Sequence, residues 1–252
     1  NDVVMGNIVG SNLFNLLFIL GLSALIYPVA VKVKTILYEI PFSLLAALLL
    51  LLLVNDKAVF NTNINTLRRP DAIILLLVFV IFLYYVFKNR KADPGELEVE
   101  GKEYGIMLTV VMIAGGLAAL LLGGNLVVNN AVKLAKLMGI SERVIGLTII
   151  SAGTSLPELA TSVMAASKKR SDLAIGNVIG SNIFNILFIL GVSAFISPVQ
   201  ITGTFNPDIL LLILATLLVL LAMFTGGRKK LDRWEGGLFL GIFIAYILWL
   251  IF

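Results

Sequence analysis

Glu158 sits in the middle of the apolar stretch VIGLTIISAGTSLPELATSVMAA, residues 144–166. A charged group at mid-membrane depth costs about 2.5–3.5 kcal/mol on insertion scales, so such residues are functional by default. Its neighbours are chosen for oxygen. Ser151, Thr154 and Ser155 supply hydroxyls within two turns of it. Pro157 has no N–H and crowds the preceding turn, so the Gly153 carbonyl is predicted to lose its helical partner and the helix to kink. Carbonyls freed at about Ser151 to Thr154 would carry the negative end of a half-helix dipole. One carboxylate among carbonyls and hydroxyls, with no nitrogen or sulfur, makes a cage for a hard cation such as sodium or calcium. The alternative is a protonated structural Glu158 hydrogen-bonded to a neighbouring helix.

More oxygen comes from a sentence written twice. Residues 6–21 read GNIVGSNLFNLLFILG and residues 176–191 read GNVIGSNIFNILFILG. The windows differ only at Ile8/Val178, Val9/Ile179, Leu13/Ile183 and Leu16/Ile186, aliphatic for aliphatic each time. Ser11 and Asn15 are four residues apart and share a helix face, as do Ser181 and Asn185. Each face offers two neutral oxygen ligands. For either window alone, small-residue helix packing with interhelical hydrogen bonds is the rival explanation.

Composition removes most other chemistry. The 252 residues include no His and no Cys. Zinc sites, disulfides, thiol nucleophiles and Ser–His dyads are therefore out, so an intramembrane serine hydrolase built on GTS is not a serious reading. With 59% hydrophobic and 13% charged residues and a mean hydropathy of +1.03, the chain is a membrane protein. The net charge of +4 belongs to short loops and lipid headgroups, not to a nucleic-acid footprint.

The elements that must position these residues are membrane helices. Eight apolar spans are predicted, at about 3–26, 35–54, 70–88, 105–136, 143–167, 173–196, 207–225 and 233–252. One set of alternate loops collects Lys32, Lys34, Lys88, Lys168, Lys169, Arg170, Arg228, Lys229, Lys230 and Arg233 with the basic residues of the 88–103 linker, and is predicted to be cytoplasmic. The acidic run in that linker reads as a solvated hinge, having no EF-hand spacing. Glu39 lies near the start of its span and reads as structural. Asn125, Asn129 and Asn130 read as packing groups. The repeat extends from Asp2/Asp172 to Pro28/Pro198, and RRPDA (68–72) aligns with DRWEG (232–236). Five spans separate the copies, an odd number, so they should cross the membrane in opposite directions. Inverted repeats of this kind are the usual architecture of secondary transporters, with the site at the midplane.

GTSLPEL (153–159) followed by GNVIGSNIFN (176–185) resembles the second signature repeat of the cation/calcium exchanger superfamily, on the side of the prokaryotic sodium/calcium exchangers. GNIVGSNLFN (6–15) resembles the second part of that family's first repeat. The resemblance covers essentially the whole chain. It implies an all-α polytopic membrane protein with ten helices in two inverted five-helix repeats, eight of them present here. Residues 1–88 would be the last three helices of the first repeat, 89–104 a cytoplasmic linker and 105–252 the complete second repeat. It implies a sodium-for-calcium antiporter working by alternating access, without a cofactor or nucleic-acid partner, as a monomer in a prokaryotic plasma membrane. Carried over residue by residue, Glu158 would bind calcium and share it with sodium. Thr154 would offer its carbonyl and hydroxyl, Ser155 its hydroxyl and Ser151 at most its carbonyl. Ser181 and Asn185 would line the site from one helix, Ser11 and Asn15 from its twin.

Two departures from the family pattern follow. Many sodium/calcium exchangers have Asp where Asn185 stands, so this site is less anionic and proton/calcium exchange is an alternative; a cation channel is a remoter one. The repeat offset also puts the partner of Glu158 about thirteen residues ahead of Asn1, which predicts that the family's first two helices and half of a carboxylate pair precede this chain.

Overall fold

The computed structural model describes residues 2–55, 65–88, 105–201, 204–225 and 229–252. The 89–104 linker and most of the polar 55–69 loop lie outside them. The helices are α1 (Asp2–Ile26), α2 (Thr35–Val54), α3 (Arg69–Lys88), α4 (Ile106–Leu137), α5 (Glu142–Thr154), α6 (Leu156–Ser167), α7 (Ser171–Ile196), α8 (Asn206–Ala222) and α9 (Arg233–Ile251). Six are long and apolar enough to cross a membrane alone. α5 and α6 form one further crossing, bent by 50°. α8 has 17 residues, about 26 Å at the helical rise, close to the thickness of a hydrocarbon core. Each of the eight apolar stretches expected from the sequence is thus helical, seven of them as crossings by length and composition and α8 as a shorter apolar helix.

These helices are apolar on every side because one side meets protein and the other lipid. Leu45, Leu48 and Leu52 of α2, for instance, face outward, while Ala46, Leu50 and Leu53 are buried. The core is α1, 83% of whose apolar window is buried; the corresponding share is 44% for α7 and nil for α4. Pro207, at the second position of α8, starts that helix where its missing N–H costs nothing, whereas Pro41 lies inside α2, just after a π-helical turn at Thr35–Glu39.

The two copies run antiparallel. Ser171 Oγ, at the start of α7, donates to the Pro28 carbonyl just past the end of α1 at 3.2 Å. Lys32 and Asp172 form an ion pair at the same end, 3.3 Å apart. Two short antiparallel strand pairs repeat this relation at opposite ends of the bundle. β1 (Val29–Ala30), after α1, pairs with β4 (Lys230–Leu231), before α9; β3 (Val199–Gln200), after α7, pairs with β2 (Thr66–Leu67), before α3. Exchanging the two halves turns one pair into the other. The aromatic packing obeys the same operation: Phe14 and Phe18 stack at 4.7 Å beside Phe243, and Phe184 and Phe188 stack at 4.8 Å beside Phe79.

Both repeated windows widen into a π-helical turn directly after their Asn-rich segment, at Phe14–Ile19 and Phe184–Ile189. Such bulges concentrate at functional sites. No residue pattern announces them, because an extra residue in a turn leaves no mark on a stretch that is apolar on all sides.

Candidate ion-binding site

The break in the fifth crossing falls at Ser155, whose backbone leaves helical geometry (φ −92°, ψ 8°) two residues ahead of Pro157. α5 and α6 thus present their side chains to one cavity at different angles. This cavity, of about 470 Å³, is enclosed by Asn7, Ile8 and Ser11 of α1, Thr154, Ser155 and Glu158 at the break, and Gly176, Asn177, Gly180, Ser181, Phe184, Asn185 and Ile189 of α7. The Oε2 atom of Glu158 is buried there, with no hydrogen-bond partner among the described residues. Leaving a buried acceptor unpaired costs about 1–3 kcal/mol, and more for a charged group. A bound cation would remove that cost.

The opposite wall is a small web of oxygens. Thr154 Oγ1 lies 3.0 Å from Ser11 Oγ and donates to Asn7 Oδ1 at 2.9 Å. Ser11 Oγ also lies within 3.3 Å of Asn7 Oδ1 and 3.4 Å of the Ser151 carbonyl. The geometry brings together Glu158, Thr154, Ser155, Ser181, Asn185 and Ser11. Two other sequence-predicted residues sit beside the cavity but not on its lining. Ser151 turns its hydroxyl back to the Leu147 carbonyl at 2.7 Å, and its own carbonyl is engaged by the Ser155 N–H at 3.1 Å. Asn15 is fully buried between the two repeated helices.

Asn15 belongs to a reciprocal amide lock where α1 crosses α7. Asn12 Nδ2 donates to the Asn182 carbonyl at 3.4 Å, and Asn182 Nδ2 to the Asn12 carbonyl at 3.2 Å. Asn15 Nδ2 donates to Asn182 Oδ1 at 3.0 Å, and Asn185 Nδ2 to Asn12 Oδ1 at 3.1 Å. The lock uses the nitrogen of Asn185 while that side chain still lines the cavity.

Two lining residues were missed by sequence reasoning. Asn7 accepts from Thr154. Asn177 clamps α6 to α7, donating to the Glu158 carbonyl (3.3 Å), Thr161 Oγ1 (2.9 Å) and Ser162 Oγ (3.0 Å). The signal was there: Asn7 and Asn177 occupy the same place in the repeat, one turn before Ser11 and Ser181. Glu39 lies in a separate cavity of about 300 Å³ with Phe82 and Val86, which touches the far side of Gly176 and Gly180. Asn125 and Asn129 line a third cavity, of about 430 Å³, between α4 and the outer side of the break. The backbone of Gly153 presses against Val128 on that side, leaving no room for a Cβ.

Every polar group on the first cavity's lining is oxygen-bearing and only Glu158 is charged; among the described residues no three His, Cys, Asp or Glu side chains gather anywhere. Antiparallel repeats crossing beside a broken helix with a buried carboxylate define a secondary transporter of hard cations. The chain belongs to the sodium/calcium exchanger protein family, which it matches over residues 1–88 and 108–252. It is a multi-pass integral membrane protein. Among its relatives, CaxA of Alkalimonas amylolytica is 39% identical over 97% of this chain and 77% of that protein. The sodium/calcium exchanger MaX1 of Methanosarcina acetivorans is 29% identical over 98% of this chain and 79% of its own length. The solved structure of the sodium-calcium exchanger NCX_Mj superposes with a TM-score of 0.73 at 33% identity, covering 98% of this chain and 76% of that one. Family and geometry agree on cation/calcium exchange.

Proposed function

We propose that this protein exchanges sodium for calcium by alternating access, with both ions competing for the oxygens around Glu158. The observation that carries this reading is the unpaired, buried Glu158 oxygen facing hydroxyls and amide oxygens and no other charge. Glu158 supplies the charge. Thr154, Ser155, Ser181 and Ser11 supply hydroxyl oxygens, and Asn185 its Oδ1, the nitrogen being held by Asn12. Asn15 and Ser151 act through the lock and the Ser11 hydroxyl respectively. Exchange requires overlapping ligands, so that occupancy by one ion excludes the other.

A single carboxylate is a weak counter-charge for a divalent ion. Packing symmetry suggests what completes it. Gly6 and Gly10 of α1 lie against α5, whereas a Cβ on Gly176 or Gly180 of α7 would meet nothing within 4 Å among the described residues. The repeat relation would place on that open face a second broken helix, bearing a second carboxylate opposite Glu158.

The test is sodium-driven 45Ca uptake into proteoliposomes by the full-length protein. Glu158→Gln should reduce uptake to background while the protein still elutes as a folded species. Normal uptake by this variant would refute the site. Uptake driven by a pH gradient in sodium-free buffer would replace sodium with protons as the coupling ion.

A further inference from the structure

One cluster of buried polar groups takes no part in the cavity. Asp208, in the first turn of α8, is completely buried. One carboxylate oxygen accepts from Arg143 Nη2 at 2.5 Å and the other from the Tyr246 hydroxyl of α9 at 2.9 Å. The Arg143 guanidinium also lies over the Phe205 ring, 5.5 Å from its centroid. Breaking a buried ion pair by removing one partner is strongly destabilising, because the other charge is left uncompensated. An arrangement this exacting in an otherwise apolar bundle calls for a role.

The other half of the molecule shows what the fold itself requires here. Aligning Pro41 with Pro207, and Arg69 with Arg233, sets Phe42 opposite Asp208 and Phe82 opposite Tyr246. Phe42 and Phe82 pack ring against ring at 5.0 Å. Two aromatic rings therefore suffice to join these helices. The charged version occurs in the half that also contains α5, and it reaches out to α5 through Arg143.

We propose that the Arg143–Asp208–Tyr246 triad is a tether that holds the α5 half of the broken helix to α8 and α9, and so sets where the Thr154 donors stand relative to Glu158. The two halves of that helix have separate anchors. α6, with Glu158, is clamped to α7 by Asn177. α5, with Thr154 at its end, is held at its start by the triad and along its length by the close approach of Gly6 and Gly10. Between the two anchors lies the 50° break. Arg143 is eleven residues from Thr154, roughly 16 Å along the helix, so it touches no ion and is a positioning residue.

The proposal rests on the exchange reading, and its test separates the two. The chain has no native Cys, so spin labels at Glu142→Cys and Lys168→Cys, the exposed ends of α5 and α6, report the angle across the break without reference to any ion. Asp208→Asn in the full-length protein should broaden or shift that distance distribution. The same substitution should raise the KM for calcium severalfold at unchanged amounts of folded protein, with Tyr246→Phe giving a smaller rise. Arg143→Gln combined with Asp208→Asn, a neutral hydrogen-bonding pair, should restore much of the loss. An unaltered distance distribution, or calcium kinetics per folded molecule equal to wild type, would overturn the tether. Should Asp208→Asn not fold, Arg143→Lys and Tyr246→Phe decide by the same two measurements. Absence of calcium exchange in the wild type would count against the exchange reading alone, the distance measurement still judging the tether.

Discussion

α1 and α7 carry nearly the same sixteen residues and lead different lives. α1 is almost entirely enclosed; α7 has less than half of its apolar window buried. Asn15 is sealed inside the crossing, while its twin Asn185 lines the candidate cavity. Gly6 and Gly10 are pressed against α5, while a Cβ on Gly176 or Gly180 would meet nothing within 4 Å among the described residues, and these two glycines separate the candidate cavity from the one that holds Glu39. Identical side chains at identical spacing thus become packing groups or cavity lining according to what stands opposite. The duplication supplies a symmetric pair of polar faces, and the neighbouring helices decide which of them meets the candidate cavity.

The glycines give the sharpest way to break this comparison. A Cβ at Gly10 would lie 2.5 Å from the Leu147 carbonyl oxygen and 2.8 Å from Ser151 Oγ, so backbone must move. Gly10→Ala should destabilise the protein by about 1–3 kcal/mol, the usual cost of overpacking. Gly180→Ala in the 252-residue chain should be neutral or stabilising by up to about 1 kcal/mol, from helix propensity alone. Thermal unfolding in detergent reads both. Equal tolerance of alanine at the two positions would remove the packing contrast between the helices.

The amide lock is the next test. Asn12→Ala removes the acceptor of Asn185 Nδ2 and the donor to the Asn182 carbonyl. Each buried group left unpaired costs about 1–3 kcal/mol. Asn182→Ala should cost a similar amount, since the bonds are reciprocal. The two side chains share no bond, Asn12 holding the Asn182 carbonyl and Asn185 Nδ2 while Asn182 holds the Asn12 carbonyl and Asn15 Nδ2, so the double variant should depart from the sum only through relaxation of the crossing they jointly pack. Additivity in an unfolding titration would mean that the two sides of the crossing are independent.

Much of this was legible in advance. Eight apolar helices, the repeat, its inversion and the break before Pro157 follow from hydropathy, self-similarity and proline chemistry. Glu158 followed from the cost of burying a carboxylate. What stayed hidden depended on partners rather than on residue type. The i, i+4 spacing put Ser11 and Asn15 on one face, yet Asn15 is captured by Asn182, a contact across 167 residues that no local pattern encodes. Asn7 and Asn177 carried the same repeat signal as Ser11 and Ser181 but stood at the edge of the window. The kink was predictable, but its direction was not: Gly153 packs against Val128 of α4 and its carbonyl lies beside Gly124. Asp208 and Tyr246 gave no signal at all, because a short apolar helix with one acid in its first turn reads as an ordinary cap.

Helix starts provide the smallest contrast between the halves. Asp71 accepts from the Arg68 N–H at 2.8 Å in a half-exposed setting. Its counterpart Glu235 is nearly buried, accepts from the Asp232 N–H at 2.7 Å and takes a second bond from Thr225 Oγ1 at 2.5 Å. An exposed cap is replaceable by water, so Asp71→Ala should cost about 0.5–1 kcal/mol. Glu235→Ala removes the acceptor of the Thr225 hydroxyl and of the Asp232 N–H and empties a buried side-chain site, and should cost about 1–2 kcal/mol more. Glu235→Gln is the discriminating variant. It keeps the length and one acceptor oxygen but offers N–H to whichever partner loses its acceptor. If burial governs the difference, Gln should recover less than half of the loss at 235, while Asp71→Asn should recover nearly all of it at 71. Equal recovery at the two sites, read as unfolding midpoints of the four single variants, would show that the caps differ in side-chain length and not in their exposure to water.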